Sequence, residues 1–456
     1  MKFKRIMIAA TKSGSGKTMI TCALLQILKN MGQQAVSYKC GPDYIDPLFH
    51  KKVLGIPSKN LDTFFTNEEE TKELLLKNRR EEDFAILEGV MGLYDGLGGV
   101  REEGSSYHLA KITKTPIVLV VDAKGMGRSI ISLIAGFLAY DKDHLIRGII
   151  LNRMSKSYYE IIKTLIEEEL NISVLGYFPE HKELRIESRY LGLIMPDELG
   201  NIKKQLSIAA EELQKTVSVE RIMQIAEEAR NLEWNSTIYN PYMIISEKAV
   251  IAVARDEAFS FYYEDNLLML QEYGAKLEYF SPLHDKELPD GCNGILIGGG
   301  YPELYAEELS KNSRMLTVLK QSIEKGMPIV AECGGFMYLH SAIVDKEKKS
   351  YAMVGIIPEL CYDTGKLVRF GYIELEENQS NFLPNGERIR GHEFHYFDSM
   401  NNGGDCLAIK PTVGKKYPCV MAGENYWYGF PHLYYPSNPA FAKNFVDKAS
   451  NYRERS

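Results

Sequence analysis

The chain has 456 residues, too many for one ordinary hydrophobic core, so two or three domains are expected. Its apolar and charged fractions, 45% and 25%, are those of a soluble globular protein, and a net charge of −7 gives nucleic acid no electrostatic footing. No apolar run reaches membrane-spanning length, and seven dispersed cysteines without CxxC spacing point to free thiols in a reducing, cytoplasmic setting.

The first stretch, MKFKRIMIAATKSG, has a basic start and a short apolar run that leads straight into a glycine-rich loop. It lacks a small-residue cleavage site, so it reads as a first strand and not as a signal peptide. Apolar runs over 5–10, 35–38, 84–87, 116–121, 148–151 and 173–177 predict strands, and the helical patterns between them include 17–30 and 158–168. Val/Ile/Leu-rich strands alternating with helices argue a parallel sheet covered on both faces. The pattern turns helical and charged over 203–213 and 219–231. The aperiodic segment 233–247, with its Asn, Pro and Ser, is the expected linker between domains 1–232 and 248–456. A second α/β pattern then begins with AVIAVA, a helix over 265–273, LEYF and NGILIGGG. A helix over 312–325 and the run PIVAECGG follow, then a β- and turn-rich stretch and a last helix over 439–449.

The segment TKSGSGKT (11–18) follows a strand and opens a helix, the context that a phosphate-binding loop requires. Gly14 and Gly16 let the backbone curl around phosphate oxygens, Lys17 reaches the β/γ-phosphates of ATP, and the Thr18 hydroxyl suits Mg2+. Thr11 stands where the general motif has its first glycine. Lys12 reads either as a phosphate ligand across a dimer or as a solvated loop lysine. Magnesium needs a carboxylate as well, and Glu88 ends its apolar run with Asp95 seven residues on. Lys39, Asp43 and Asp46 lie just beyond another strand end, where ligands of open parallel sheets bind. Asp43 and Asp46 also fit the turns around Pro42 and Pro47. Asn152 suits either a nucleobase or a simple turn.

In IVAECGGFMYLH (329–340), Cys333 sits on a strand-to-helix turn backed by Gly334 and Gly335. A helix N-terminus is expected to lower its pKa and supply thiolate. Gly298, Gly299 and Gly300 can present backbone N–H groups to an oxyanion. Of the late histidines, His432 best suits the base, whereas His392 and His395, three residues apart, cannot both serve. A thiol, an oxyanion hole and an imidazole split amides such as the side chain of glutamine. Beside a Mg-ATP site, they suggest an amide ligase.

These residues resemble the cobyrinate a,c-diamide synthase family of the cobalamin pathway. The resemblance rests on KCGPDYIDPLFH, NLDTFF, EGVMGLYDG, ARDEAFSFYYEDNL, GGGYPE, AECGGFMYL, GHEFHY and PHLYYPSNPAF, in that order. It implies an α/β chain: an N-terminal P-loop parallel-sheet domain similar to dethiobiotin synthetase, joined to a class I glutamine amidotransferase-like α/β domain. It further implies ATP- and glutamine-dependent amidation of a tetrapyrrole through acyl phosphates, and a homodimer by analogy with dethiobiotin synthetase. Position by position, it makes Cys333 the nucleophile and His432 its activator. It assigns Asp43, Asp46, Glu88 and Asp95 to magnesium, phosphates or substrate, and Lys17 and Thr18 to phosphate and metal. Many class I amidotransferases carry Glu two residues after the base, where this chain has Tyr434. A Cys–His dyad is therefore expected.

The same chemistry on nickel-sirohydrochlorin is a close alternative. A P-loop nucleotide-switch ATPase is a distant one, since that class has no use for Cys333 and His432. Arg128, Arg185 and Arg189 are candidates to meet ring carboxylates, although each also reads as a solvated surface arginine.

Overall fold

Six apolar runs of the N-terminal half and one short polar segment become seven parallel strands in the computed structural model, which describes residues 3–77, 83–181, 196–233 and 247–455. The chain divides into two compact units, Met1–Ile238 and Tyr239–Ser456. The linker expected at 233–247 lies almost wholly outside the described residues.

In the first unit the strands are β1 (Arg5–Ala10), β2 (Ala35–Cys40), β3 (Ser58–Leu61), β4 (Phe84–Glu88), β5 (Ile117–Asp122), β6 (Ile146–Asn152) and β7 (Val174–Phe178). Their spatial order is β3-β2-β4-β1-β5-β6-β7, with β1 at the centre. Strands β1, β4 and β5 are buried along their whole length, as a sheet covered on both faces requires. Helix α1 (Lys17–Asn30) lies in one of the two hydrophobic layers, where Ile20, Leu24 and Leu28 meet Leu206, Ala209 and Leu213 of the helix Pro196–Thr216. Sequence periodicity did not reveal β3. Its residues SKNL are short and mostly polar, and pairing with β2 makes them a strand.

The second unit continues with β8 (Ala249–Ala254), β9 (Phe259–Phe261), β10 (Ala275–Phe280), β11 (Gly294–Ile297), β12 (Gly299–Gly300) and β13 (Ile329–Glu332). Strands β10, β8, β11, β13 and Tyr426–Gly429 form a parallel sheet in that order, with Met421–Gly423 added antiparallel at the edge. The turn-rich stretch beyond 350 builds further antiparallel pairs. One of them sets Arg369–Glu377 against Arg388–His395, whose other side carries His432–Leu433. Among the described residues, no helix is long and apolar enough to cross a membrane.

Candidate active sites

In the first unit the loop after β1 sits at the carboxyl edge of the sheet, flanked by β4 and β5. Gly14 and Gly16 have φ of 74° and 91°, the left-handed region that glycine enters without strain. A Cβ at Gly16 would lie 2.2 Å from Asn152 Nδ2. That amide donates to the Ser15 carbonyl at 2.7 Å, so Asn152, at the end of β6, braces the loop from beneath. The Thr18 hydroxyl donates to Glu88 Oε1 at 2.7 Å, and the Lys17 ammonium donates to the Met91 carbonyl.

Register explains why the acids converge. Glu88 lies opposite Ile8 of β1 and opposite Lys39 of β2. Lys39 Nζ donates to Glu88 Oε1 at 2.9 Å and to the Asp46 carboxylate, and it lies 3.8 Å from Asp43 Oδ2. Asp43 also caps its own turn, where its Oδ1 accepts from Ile45 N at 2.8 Å. Asp95 is held against the loop, and its Oδ2 accepts from Gly92 N at 2.8 Å.

Two lysines here face four carboxylates: Lys17 and Lys39 against Asp43, Asp46, Glu88 and Asp95. Burial, reinforced by Asp46, pushes the Glu88 carboxyl up to about 7. Burial also raises Asp43 to about 6, and it lowers Lys17 to about 8 with help from Lys39. Burial works against the Asp46 carboxylate too, but the Lys39 ammonium outweighs it and holds Asp46 below the usual range. Burial is the main cause of the raised Glu88 carboxyl, and among the described residues its buried Oε2 has no hydrogen-bond partner. Hard oxygen donors with an excess of negative charge suit Mg2+, and Thr18, Glu88 and Asp46 would form the protein side of its shell.

In the second unit Cys333 joins β13 to the short helix Gly334–Leu339, at φ 47° and ψ −101°. A non-glycine residue pays about 1–3 kcal/mol for such a conformation, which recurs at functional sites. Its N–H donates to Gly429 O at 2.8 Å, and this pins the turn to the neighbouring strand. Gly334 and Gly335 are needed for close approach: a Cβ on Gly335 would lie 2.2 Å from the Ile297 carbonyl, and one on Gly334 would lie 3.0 Å from Gly300 N. A Cβ on Gly299 would lie 2.4 Å from His432 Cε1. The glycine run is thus flanked by the Cys333 turn and by the His432 ring. Glu332, buried beside Cys333, accepts from Leu433 N at 3.4 Å and from Tyr435 Oη at 3.5 Å, which ties the two segments together.

The resting electrostatics correct the expectation of a thiolate. Burial, and then the Glu303 carboxylate, push the Cys333 thiol up. The six-residue helix is too short to offset them. Burial, with His395, lowers His432 to about 3, so the pair rests as thiol and neutral imidazole. His392 stacks on His432, whereas His395 stacks on Phe430 and binds Phe397 O through Nδ1 at 2.6 Å.

Relatives match this chain almost end to end. A cobyrinate a,c-diamide synthase from Caldanaerobacter subterraneus subsp. tengcongensis is 42% identical over 98% of each chain. One from Clostridium tetani is 39% identical over 98% of this chain and 100% of its own. A third, from Thermoplasma volcanium, is 38% identical over 100% of this chain and 99% of its own. The chain belongs to the cobyrinate a,c-diamide synthase family. It is an amidating ligase whose two halves match separate family models: a CobQ/CobB/MinD/ParA nucleotide binding domain over residues 6–193 and a CobB/CobQ-like glutamine amidotransferase domain over residues 250–426.

For a diamide synthase of this family, several site neighbours escaped sequence reasoning. His50 Nε2 lies 3.5 Å from Glu88 Oε2, and Asp122 at the end of β5 pairs with Arg153 and, at 3.5 Å, with Lys12. Glu332 could have been found as the one charge closing a buried run. His50 carries no such signal, and His392 was weighed in the sequence only as an alternative base. Arg128 pairs with Glu169 on the surface at 2.6 Å, and Arg185 and Arg189 lie outside the described residues.

Proposed function

We propose that this chain amidates the a and c acetate side chains of cobyrinate, with nitrogen from glutamine and ATP as the driving reagent. The observation that carries the reading is the 42% identity to a cobyrinate a,c-diamide synthase over 98% of both chains.

The amidotransferase half supplies ammonia. Cys333 sulfur attacks the glutamine amide carbon while His432, neutral at rest, takes the thiol proton. Because burial disfavours a preformed thiolate, this transfer accompanies attack. The oxyanion forms beside Gly299 and Gly300, His432 returns the proton to the leaving nitrogen, and water then frees glutamate from the thioester.

The synthetase half activates the ring. A carboxylate oxygen bonds to the γ-phosphorus of ATP, the β–γ bridging bond breaks and ADP leaves. Ammonia then attacks the acyl carbon and expels phosphate. Lys17 and the loop around Gly14 and Gly16 hold the phosphates, Lys39 fixes Asp46 and Glu88, and Asp43 and Asp95 line the place for substrate or phosphate. Mg2+ bound by Thr18, Glu88 and Asp46 would neutralise phosphate charge.

The test is a turnover assay with Mg-ATP, glutamine and either cobyrinate or nickel-sirohydrochlorin, read by mass at two carboxylates. Cobyrinate diamide is the expected product. Turnover of the nickel ring alone would overturn the ring assignment. Cys333→Ala should lose glutamine use and keep ammonia-dependent synthesis.

A further inference from the structure

We propose that His392 is a positioning residue for the amide-splitting site, its ring covering one face of the His432 imidazole, whose Cε1 edge abuts Gly299. The inference rests on the reading of His432 as the base. It names a neighbouring ring that holds the orientation of that base.

His392 and His432 face each other across an antiparallel pair, with ring centroids 4.9 Å apart and planes inclined by 14°. On the Gly299 side, His432 Cε1 lies 2.4 Å from where a Cβ would stand, so only a glycine leaves room for the ring. Gly299 thus abuts the Cε1 edge between the two ring nitrogens, with the Cβ position 3.2 Å from Nδ1 and 3.4 Å from Nε2, while His392 covers one face of the ring. The stacked face opposes tilting toward His392, and the edge contact limits sliding toward Gly299.

The clamp is itself held. Tyr263 Oη lies 3.1 Å from His392 Nδ1, and Tyr263 packs edge-on against Tyr434, centroids 5.2 Å apart at 82°. Tyr434 Oη in turn donates to Asp265 Oδ2 at 3.2 Å. All four aromatic groups are buried: His392 5%, His432 3%, Tyr263 1% and Tyr434 2% exposed. Tyr434, at the place where many class I amidotransferases have a carboxylate, thus contributes to orientation two layers out. A carboxylate would hold the base through charge and raise its pKa. A ring face holds it by shape and leaves it neutral.

The experiment compares His392→Ala, His392→Phe and Tyr263→Phe in the full-length protein, with Cys333→Ala alongside. Glutamine hydrolysis gives kcat and KM, and amidation with saturating ammonia reports on the rest of the molecule. His392→Ala is expected to lower the glutamine kcat by ~30–100-fold, as a small misplacement of a catalytic group does, with KM and ammonia-dependent synthesis near wild type. His392→Phe, which keeps a flat face, should recover to within ~3-fold, and Tyr263→Phe should lose roughly 3–10-fold. A wild-type kcat in His392→Ala, equal losses with both nitrogen sources, or no recovery in His392→Phe would each overturn the clamp. Glutamine use by Cys333→Ala would instead overturn the parent reading, so the two failures are separable.

Discussion

The Thr18 hydroxyl and the Glu88 carboxylate meet at 2.7 Å, so the residue that follows the phosphate-loop lysine is joined to the end of the neighbouring strand. Both are oxygen donors, and Lys39 holds Glu88 from the other side at 2.9 Å. Glu88→Gln keeps an acceptor for Thr18 but removes the charge. Synthesis should fall by roughly 100-fold or more with glutamine and with ammonia alike, because the defect lies in carboxylate activation. Glutamine hydrolysis should persist. Product mass measured under both nitrogen sources checks this, and near-normal synthesis in the variant would remove Glu88 from the ATP site.

Gly299 tests the second unit. A methyl group there would stand 2.4 Å from His432 Cε1, well inside contact distance, so the imidazole must swing away. Gly299→Ala should lower glutamine-dependent synthesis by about 100-fold and leave ammonia-dependent synthesis intact. Parallel rates with the two donors settle it: equal rates would mean that the ring can move without consequence.

How much of this was readable beforehand depended on what kind of signal each residue leaves. The strands from Arg5–Ala10 to Val174–Phe178, β3 apart, announce themselves because burial on both faces demands unbroken apolar runs. The phosphate loop and the Cys333 turn are legible because close backbone approach leaves only glycine as a choice. Convergence of Lys39 on Glu88 depends on the register of β2 against β4, which one sequence does not specify. The thiol's raised pKa was misread for a related reason. A helix N-terminus is visible in sequence, whereas the Glu303 carboxylate and the burial that outweigh it are tertiary facts.

Glu332 makes stability depend on pH. Burial raises its carboxyl to about 8, against an ordinary value of 4.5, so the folded chain holds a proton that the unfolded chain has released. Stability from this group is therefore fully present below about 4.5 and declines until pH passes about 8. Glu332→Gln retains an oxygen to accept from Leu433 N and Tyr435 Oη but cannot ionise. Relative to wild type, the variant should gain about 2–3 kcal/mol between pH 5.5 and 8.5, whatever its offset at the lower pH. Urea melts of both proteins at the two pH values measure the difference. A constant gap would show that Glu332 ionises normally in the fold.

Lys39 provides the complementary case, a buried cation whose removal strands its partners. It is 4% exposed and bonds to both Asp46 and Glu88. Burial alone would lower its pKa, yet Asp46, Glu88 and Asp43 together hold it well above the ordinary value. Lys39→Met preserves the volume of the stem and deletes the charge, leaving carboxylates in a low-dielectric pocket with one fewer counter-charge. Removing one partner of such a pair costs about 3–5 kcal/mol. The cost should shrink as pH falls, because the stranded carboxylates can take up protons and become neutral. Denaturation at pH 8 should therefore show a larger loss than at pH 5.5, and a divalent cation should restore part of the loss at pH 8 by supplying the missing charge. A loss that is the same at both pH values and indifferent to magnesium would mean that the ammonium acts by packing, and the electrostatic account of this cluster would fail.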